Sequence, residues 1–305
     1  MSLTVSPLPT LSARFSVVSV LPTLVLVGWF GFLWGSGSLT GPPDMQHLLD
    51  GLAKVNIAQV TLAGLVSVVL GSVLHPFQFP LVRLLEGYWT TLPGLRQLQY
   101  LGIEINRRRM CQLRRADKTK ELRKQYPPDE QDLLPTRLGN VLRAAERRAG
   151  EPYGMDAIAM LPRLYPLASP GVAAVFLDLR NQLDVAARYC VVLTLISVSG
   201  LAAMATDGPW LLLPAMTAAL AWASYRAAVR TALSYGVGLR VLFELNHCRL
   251  LQGLGWKVPK NIAELRKLAG KLEKWLEDDG GAPENYVGPE AADKGADEPN
   301  PASGS

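Results

Sequence analysis

The residues best placed to do chemistry lie between Pro135 and Leu167, in PTRLGNVLRAAERRAGEPYGMDAIAMLPRLYPL. This stretch sets Arg137, Asn140, Arg143, Glu146, Tyr153, Asp156, Arg163 and Tyr165 among turn-forming Gly and Pro residues. Two arrangements satisfy such a mixture. The guanidinium groups can pair with the carboxylates in an internal salt-bridged junction. Alternatively, Arg137 and Arg163 can both point into a pocket and grip an anionic ligand or a partner through forked hydrogen bonds. Elsewhere the inventory is thin. Glu244 and His247 have the Glu-x-x-His spacing of di-iron bundles, but such a site needs a second copy and two further carboxylates, and none is found. His47, His75 and His247 are scattered. Cys111, Cys190 and Cys248 are odd in number and far apart, which offers neither a disulfide framework nor a zinc spacing. There is no glycine-rich phosphate loop, no His-Glu-x-x-His and no Gly-x-Ser-x-Gly. The expectation is a non-enzymatic protein with no catalytic residue, no metal and no cofactor.

A second chemical feature is the basic run Ile105–Lys124, nine Lys/Arg against two acids. Nucleic-acid binding would call for interleaved aromatics or a recognisable module, and this stretch has neither. Three readings remain open. Arg107, Arg108, Arg109, Arg114 and Arg115 can face anionic lipid, worth about 1 kcal/mol per cation near the surface. The run can dock an acidic partner, including the chain's own acidic end, where Glu277–Ser305 holds eight acids and one Lys. Or it is a solvated helix face that marks the inner side of a membrane.

The elements that carry these residues are set by four apolar stretches. A membrane-crossing helix needs about 20 apolar residues. Phe15–Trp34 and Ile57–Leu74 contain no charge, Ala186–Thr206 contains only Arg188, and Pro209–Tyr225 is uncharged up to Arg226. Trp29, Trp34, Tyr189, Trp210, Trp222 and Tyr225 stand toward their ends, the headgroup level that amphipathic rings prefer. Only Asp207 and Gly208 separate the last two stretches, so they form a hairpin with Pro209 in the first turn of its second helix. Lys/Arg counts set the direction. The loop Gly35–Asn56 has one, the connection His75–Val185 has seventeen, and the region from Arg226 onward has eleven. The expected protein is a multi-pass plasma-membrane protein with the long connection and both termini in the cytoplasm. Cleavage of the first stretch as a signal would leave the other directions unchanged.

Inside the expected cytosolic part, Leu81, Leu84, Leu85 and Tyr88 form one helix face, lying in the bilayer interface or packed under the spans. Thr91 and Pro93 start a helix expected to run through the basic run to Lys124 and to stop before Tyr126-Pro127-Pro128. A short helix follows from Thr136 to Ala149. Ser169 and Pro170 open one helix of about 36 residues that ends as the third span. The fourth span continues inward, with Gly236 and Gly238 as possible hinges. Asn261 caps a last helix with Glu264 closing the capping box, and Leu265, Leu268, Leu272 and Trp275 form its seam until Gly280. The resulting organisation is 1–74 for two spans and an outer loop, 75–185 for a cytosolic helical insert, 186–228 for a membrane hairpin, 229–277 for cytosolic helices and 278–305 for an acidic tail. The fold class is all-α throughout.

Small residues recur every four positions in the spans: Ala63, Ser67 and Gly71, then Ala215, Ala219, Ala223 and Ala227. In lipid such lines let backbones approach closely, within one chain or between copies in a homo-oligomer. No acid or base lies at mid-membrane, where a proton-coupled transporter carries one.

The block Pro-Thr-Arg-Leu-Gly-Asn (from Pro135), Leu-Arg-Ala-Ala-Glu (from Leu142), Tyr-Gly-x-Asp-Ala (from Tyr153) and Pro-Arg-Leu-Tyr-Pro (from Pro162), together with HPFQFPLVRLLEGYW, resembles a group of uncharacterised four-span integral membrane proteins of actinobacteria. The resemblance spans about His75 to Trp256. It implies topology and carries no activity or catalytic residue. The functional expectation is a membrane-anchored protein whose cytosolic helices receive a protein partner or ligand. The alternative is a homo-oligomeric ion channel or pore-forming effector.

Overall fold

The structure, a computed structural model, describes residues 20–38, 41–74, 78–89, 94–206 and 208–277. The start of the first apolar stretch, the Thr91–Pro93 cap, Asp207, Gly280 and the acidic tail lie outside the described residues. Among the described residues the chain is all-α, with no strand. The helices are α1 (Leu21–Gly35), α2 (Met45–Ala53), α3 (Ile57–Leu74), α4 (Gln78–Glu86), α5 (Arg96–Arg115), α6 (Thr119–Gln125), α7 (Arg137–Gly150), α8 (Ala157–Leu164), α9 (Pro170–Met204), α10 (Leu212–Gly253) and α11 (Ile262–Glu277). Residues group into two compact units, Met1–Asn106 with Leu134–Gly139 and Arg180–Ala232, and Arg107–Leu133 with Asn140–Leu179 and Leu233–Ser305.

In the first unit, α1 packs on α3 and on α2, a helix between α1 and α3 that its short length and flanking turn residues conceal in the sequence. Hydroxyl groups join the apolar helices. Trp29 Nε1 donates to Ser199 Oγ at 3.0 Å, Ser197 Oγ to the Pro214 carbonyl at 2.9 Å, and Ser224 Oγ to the Ala186 carbonyl at 2.9 Å. Gly200 leaves room for the Trp29 ring, which a Cβ there would meet at 2.8 Å. Leu33, Ile196 and Met204 are buried, but many large aliphatic side chains turn outward. Ile57 is 86% exposed, Val60 62% and Leu65 60%, and Leu195, Val198, Leu201, Leu212, Met216 and Leu220 are exposed as well. Among the described residues one helix, α9, is long and apolar enough to cross a membrane; α1 and Ile57–Val73 of α3 are apolar but shorter. In α10 the uncharged part runs from Leu212 to Tyr225, and the Arg226 guanidinium lies over the Trp222 ring at 4.7 Å.

The Pro-Thr-Arg-Leu-Gly segment is a wedge within this unit. Pro135 fills the space that Gly87 and Gly102 leave by lacking a Cβ. Thr136 Oγ1 donates to the Glu86 carbonyl at 2.8 Å and accepts from Gly139 N at 3.0 Å, so it caps α7 and ties it to α4. Leu138 N donates to the Tyr225 hydroxyl oxygen at 3.2 Å, and Asn106 Nδ2 donates to the Pro135 carbonyl at 2.8 Å. The bonds from Gly139 N and Leu138 N satisfy two of the orphan donors at the start of α7.

The second unit closes around α10. Leu239, Leu242, Phe243, Leu250 and Leu251 are buried with Met160 and Leu164 of α8, with Leu265, Ala269 and Leu272 of α11, and with Phe176 and Trp256. Each such aliphatic contributes about 1.5–3 kcal/mol by leaving water. The α11 cap forms as the spacing predicts: Glu264 N donates to Asn261 Oδ1, and Asn261 Nδ2 donates to Glu264 Oε1, both at 2.8 Å.

Three expectations change. The basic helix stops at Arg115, because Asp117 takes a left-handed conformation (φ 51°) and α6 begins only at Thr119, whose hydroxyl donates to the Asp117 carboxylate. Pro209 sits in a 3-10 turn, Gly208–Leu211, ahead of α10. Gly236 and Gly238 are no hinges. They lie inside the unbroken α10, where a Cβ would meet Ala145 Cβ at 2.7 Å and Leu179 Cδ1 at 3.0 Å, so they serve close helix packing.

Candidate functional site

Arg137 and Asn140 share α7, but Arg137 is exposed in the first unit whereas Asn140 is fully buried in the second. The remaining polar residues of the block belong to the second unit, and most of their contacts are to one another's elements. Asp132, in the 3-10 turn Glu130–Asp132, is the hub. Arg147 Nε and Nη2 hold its two oxygens at 2.6 and 3.1 Å, and Arg143 Nε stands 3.8 Å from Oδ1. Glu146 in turn lies 3.8 Å from Arg143 Nη1. The Arg147 hydrogen bonds hold the Asp132 carboxyl below the usual carboxylate range, against the opposing effect of burial, and the same contact raises Arg147.

The Glu151–Asp156 loop is clamped by α11. Arg266 Nε donates to the Pro152 carbonyl at 3.1 Å, and the Arg266 stem packs on Gly154, whose φ of 70° suits glycine. Glu273 accepts from Asp156 N. The Asp156 carboxylate caps α8, accepting from Ile158 N at 2.7 Å and Ala159 N at 3.1 Å. Tyr153 stacks on His247 with ring centroids 4.2 Å apart, and burial followed by the Glu244 charge pushes its hydroxyl pKa up. Arg163 is exposed and donates to the Ala159 carbonyl of its own helix at 2.8 Å. Tyr165 lies tilted on Phe176, 6.3 Å between centroids.

The geometry therefore ties Arg143 and Glu146 of α7 to the Glu130–Asp132 turn, Tyr153 to α10 and Asp156 to α11. Sequence reading missed Asp132 as the acceptor. The i,i+4 spacing of Arg143 and Arg147 on one face of α7 was the available signal. His247 donates from Nδ1 to the Phe243 carbonyl at 3.0 Å, which leaves Nε2 to accept from the Cys248 thiol at 3.3 Å. Among the described residues no three His, Cys, Asp or Glu side chains gather as a metal ion would require.

A test of the hub follows. Replacing Asp132 with Asn should lower stability by about 1 kcal/mol at pH 7, a figure reduced for the exposure of Arg147. A carboxyl whose folded pKa is depressed contributes above the ordinary Asp pKa and loses that contribution as pH falls through the folded value. Melting temperatures of the native chain and the variant should differ at pH 7, and the difference should shrink as pH falls below the ordinary Asp pKa. Equal melting at pH 7 would contradict the hub.

Of the basic run, Arg107, Arg108, Arg109, Arg114 and Arg115 are all exposed; Arg114 lies 3.4 Å from Glu130 and Lys118 4.0 Å from Glu121. Of the small-residue lines, Ser67 and Gly71 are buried and Ala63 is exposed, whereas Ala215, Ala219, Ala223 and Ala227 are exposed along their whole length. The buried side of that part of α10 carries Pro214, Ala221 and Ala228 instead.

Comparison with protein-family models, with curated proteins and with solved structures finds no match to this chain.

Proposed function

We propose that the chain is an integral plasma-membrane protein with four spans and both termini in the cytoplasm. Its helical cytosolic part binds a protein partner or ligand and couples it to the membrane. The observation that carries this is the outward-facing apolar surface of the first unit. The uncharged α3 exposes Ile57, Val60, Leu65, Val69 and Val73, and the apolar ends of α9 and α10 expose Leu195, Val198, Leu201, Met216 and Leu220. Water disfavours so large an apolar surface and lipid does not. The positive-inside count and the resemblance to the actinobacterial group support the same topology. Arg226 over Trp222 suits an inner-leaflet boundary for the fourth span. The bonded junction around Asp132 and Asp156 gives the cytosolic part a rigid surface on which a partner can dock. Affinity capture of the full chain from mild detergent should return one specific cytosolic partner. Capture identical to that of an unrelated four-span control would overturn this reading.

The second reading, a homo-oligomeric channel or pore-forming effector, rests on the exposed line Ala215, Ala219, Ala223, Ala227. In lipid it would let two copies of α10 approach closely. It expects oligomers by mass photometry and conductance in planar bilayers. A silent monomer removes it.

A further inference from the structure

We infer that Arg123, Arg148 and Arg240 form a binding site for a phosphate-type anion. The three residues are far apart in sequence and come from α6, α7 and α10 of the second unit. Two contacts set α7 beside α10. Gly236 approaches Ala145 so closely that a Cβ would lie 2.7 Å from the alanine Cβ, and Tyr153, just beyond α7, stacks on His247. Both chains advance in the same direction between these contacts, so the helices run parallel. One turn past Gly236 is Arg240, and one turn past Ala145 are Arg148 and the buried Ala149. Arg148 is half-buried and donates from Nη2 to the Tyr126 carbonyl at 3.0 Å. That bond fixes the end of α6 beside Arg148, and Arg123 is one turn earlier on that helix.

These three charges stand outside the ion pairs of the unit. The ion pairs of the unit engage Arg114, Lys118, Arg143 and Arg147, and among the described residues none engages Arg123, Arg148 or Arg240. Burial draws the Arg148 guanidinium pKa down, Arg123 and Arg240 push it further, and Glu151 is the one acid acting against them. A fold that gathers like charges around a half-buried fork is relieved by an anion. Guanidinium forks arriving from three helices match the several acceptor oxygens of a phosphate better than a single planar carboxylate. A free phosphoryl compound and a phospholipid headgroup share that chemistry.

This rests on reading the second unit as the ligand-receiving part, and the test separates the two ideas. The full chain in detergent is titrated calorimetrically with inorganic pyrophosphate, and its phosphatidic-acid and phosphatidylcholine adducts are compared by native mass spectrometry. Arg123→Ala combined with Arg240→Ala alters exposed residues and spares the half-buried Arg148. Pyrophosphate binding that the double variant weakens about tenfold or more assigns the site to soluble phosphates. Adducts selective for phosphatidic acid and lost in the variant, without pyrophosphate binding, assign it to a headgroup. Binding of neither probe, or equal binding by both proteins, overturns the site. In that case, intact partner capture by the native chain leaves the functional reading standing, and failed capture removes it too.

Discussion

A lysine in place of Val66 should keep most copies of α3 from integrating into membranes. Val66 is near the middle of the 18-residue α3 and is exposed. If water faces it, Val→Lys on an exposed helix is worth within about 0.5 kcal/mol either way. If lipid faces it, a cation at mid-helix costs about 2.5–3.5 kcal/mol on insertion scales, roughly a hundredfold in the inserted fraction. The measurement is the inserted share of the α3 segment, read by glycosylation acceptor sites placed on either side of it in a host membrane protein. Val55→Lys, just outside α3, is the matched control and should insert like the native chain. Equal insertion of both variants would mean that α3 does not meet lipid.

The second large effect concerns Gly150, the last residue of α7. A Cβ there would collide with the main-chain carbonyl of Met155, and Gly150's own carbonyl accepts from Met155 N at 3.1 Å. Backbone cannot move aside as a flexible side chain can. Gly150→Ala should therefore lower stability by roughly 2–4 kcal/mol and loosen the turn that leads into the Asp156 cap. Gly270 of α11 supplies the contrast. It is exposed with nothing within 4 Å of a Cβ, so Gly270→Ala should stabilise by about 0.5–1 kcal/mol through helix propensity. Thermal melts of the two variants in one detergent should move in opposite directions. Parallel shifts would contradict the packing described at the end of α7.

The same contrast shows which parts of the molecule can be read from its sequence. Helix starts at Ser169 and Asn261 are legible because a cap is local chemistry within four residues. The 35-residue α9 is legible because nothing between Pro170 and Met204 breaks its pattern. The break at Asp117 is not, since Asp is one of the few non-glycine residues that tolerate positive φ, and nothing demands that it do so there. Gly236 reads equally well as a hinge or as a close approach until Ala145 is known to face it. The polar block reads as junction or pocket for the same reason. Its decisive partners, Asp132, Glu273 and His247, lie outside the block and reach it only through helix packing. The Arg123, Arg148 and Arg240 cluster is hidden in the sequence by that same dependence.

The central claim, that apolar helices cross a bilayer and hold the bulk of the chain on its inner side, is tested most directly by two-site thiol accessibility. Cys111, Cys190 and Cys248 are replaced by Ser, and a single cysteine is placed at His47 or at Gln131. A membrane-impermeant maleimide applied to intact cells should label the position 47 cysteine and reach that at position 131 only after permeabilisation. Labelling of position 131 in intact cells, or of neither position until the membrane is opened, would contradict the account.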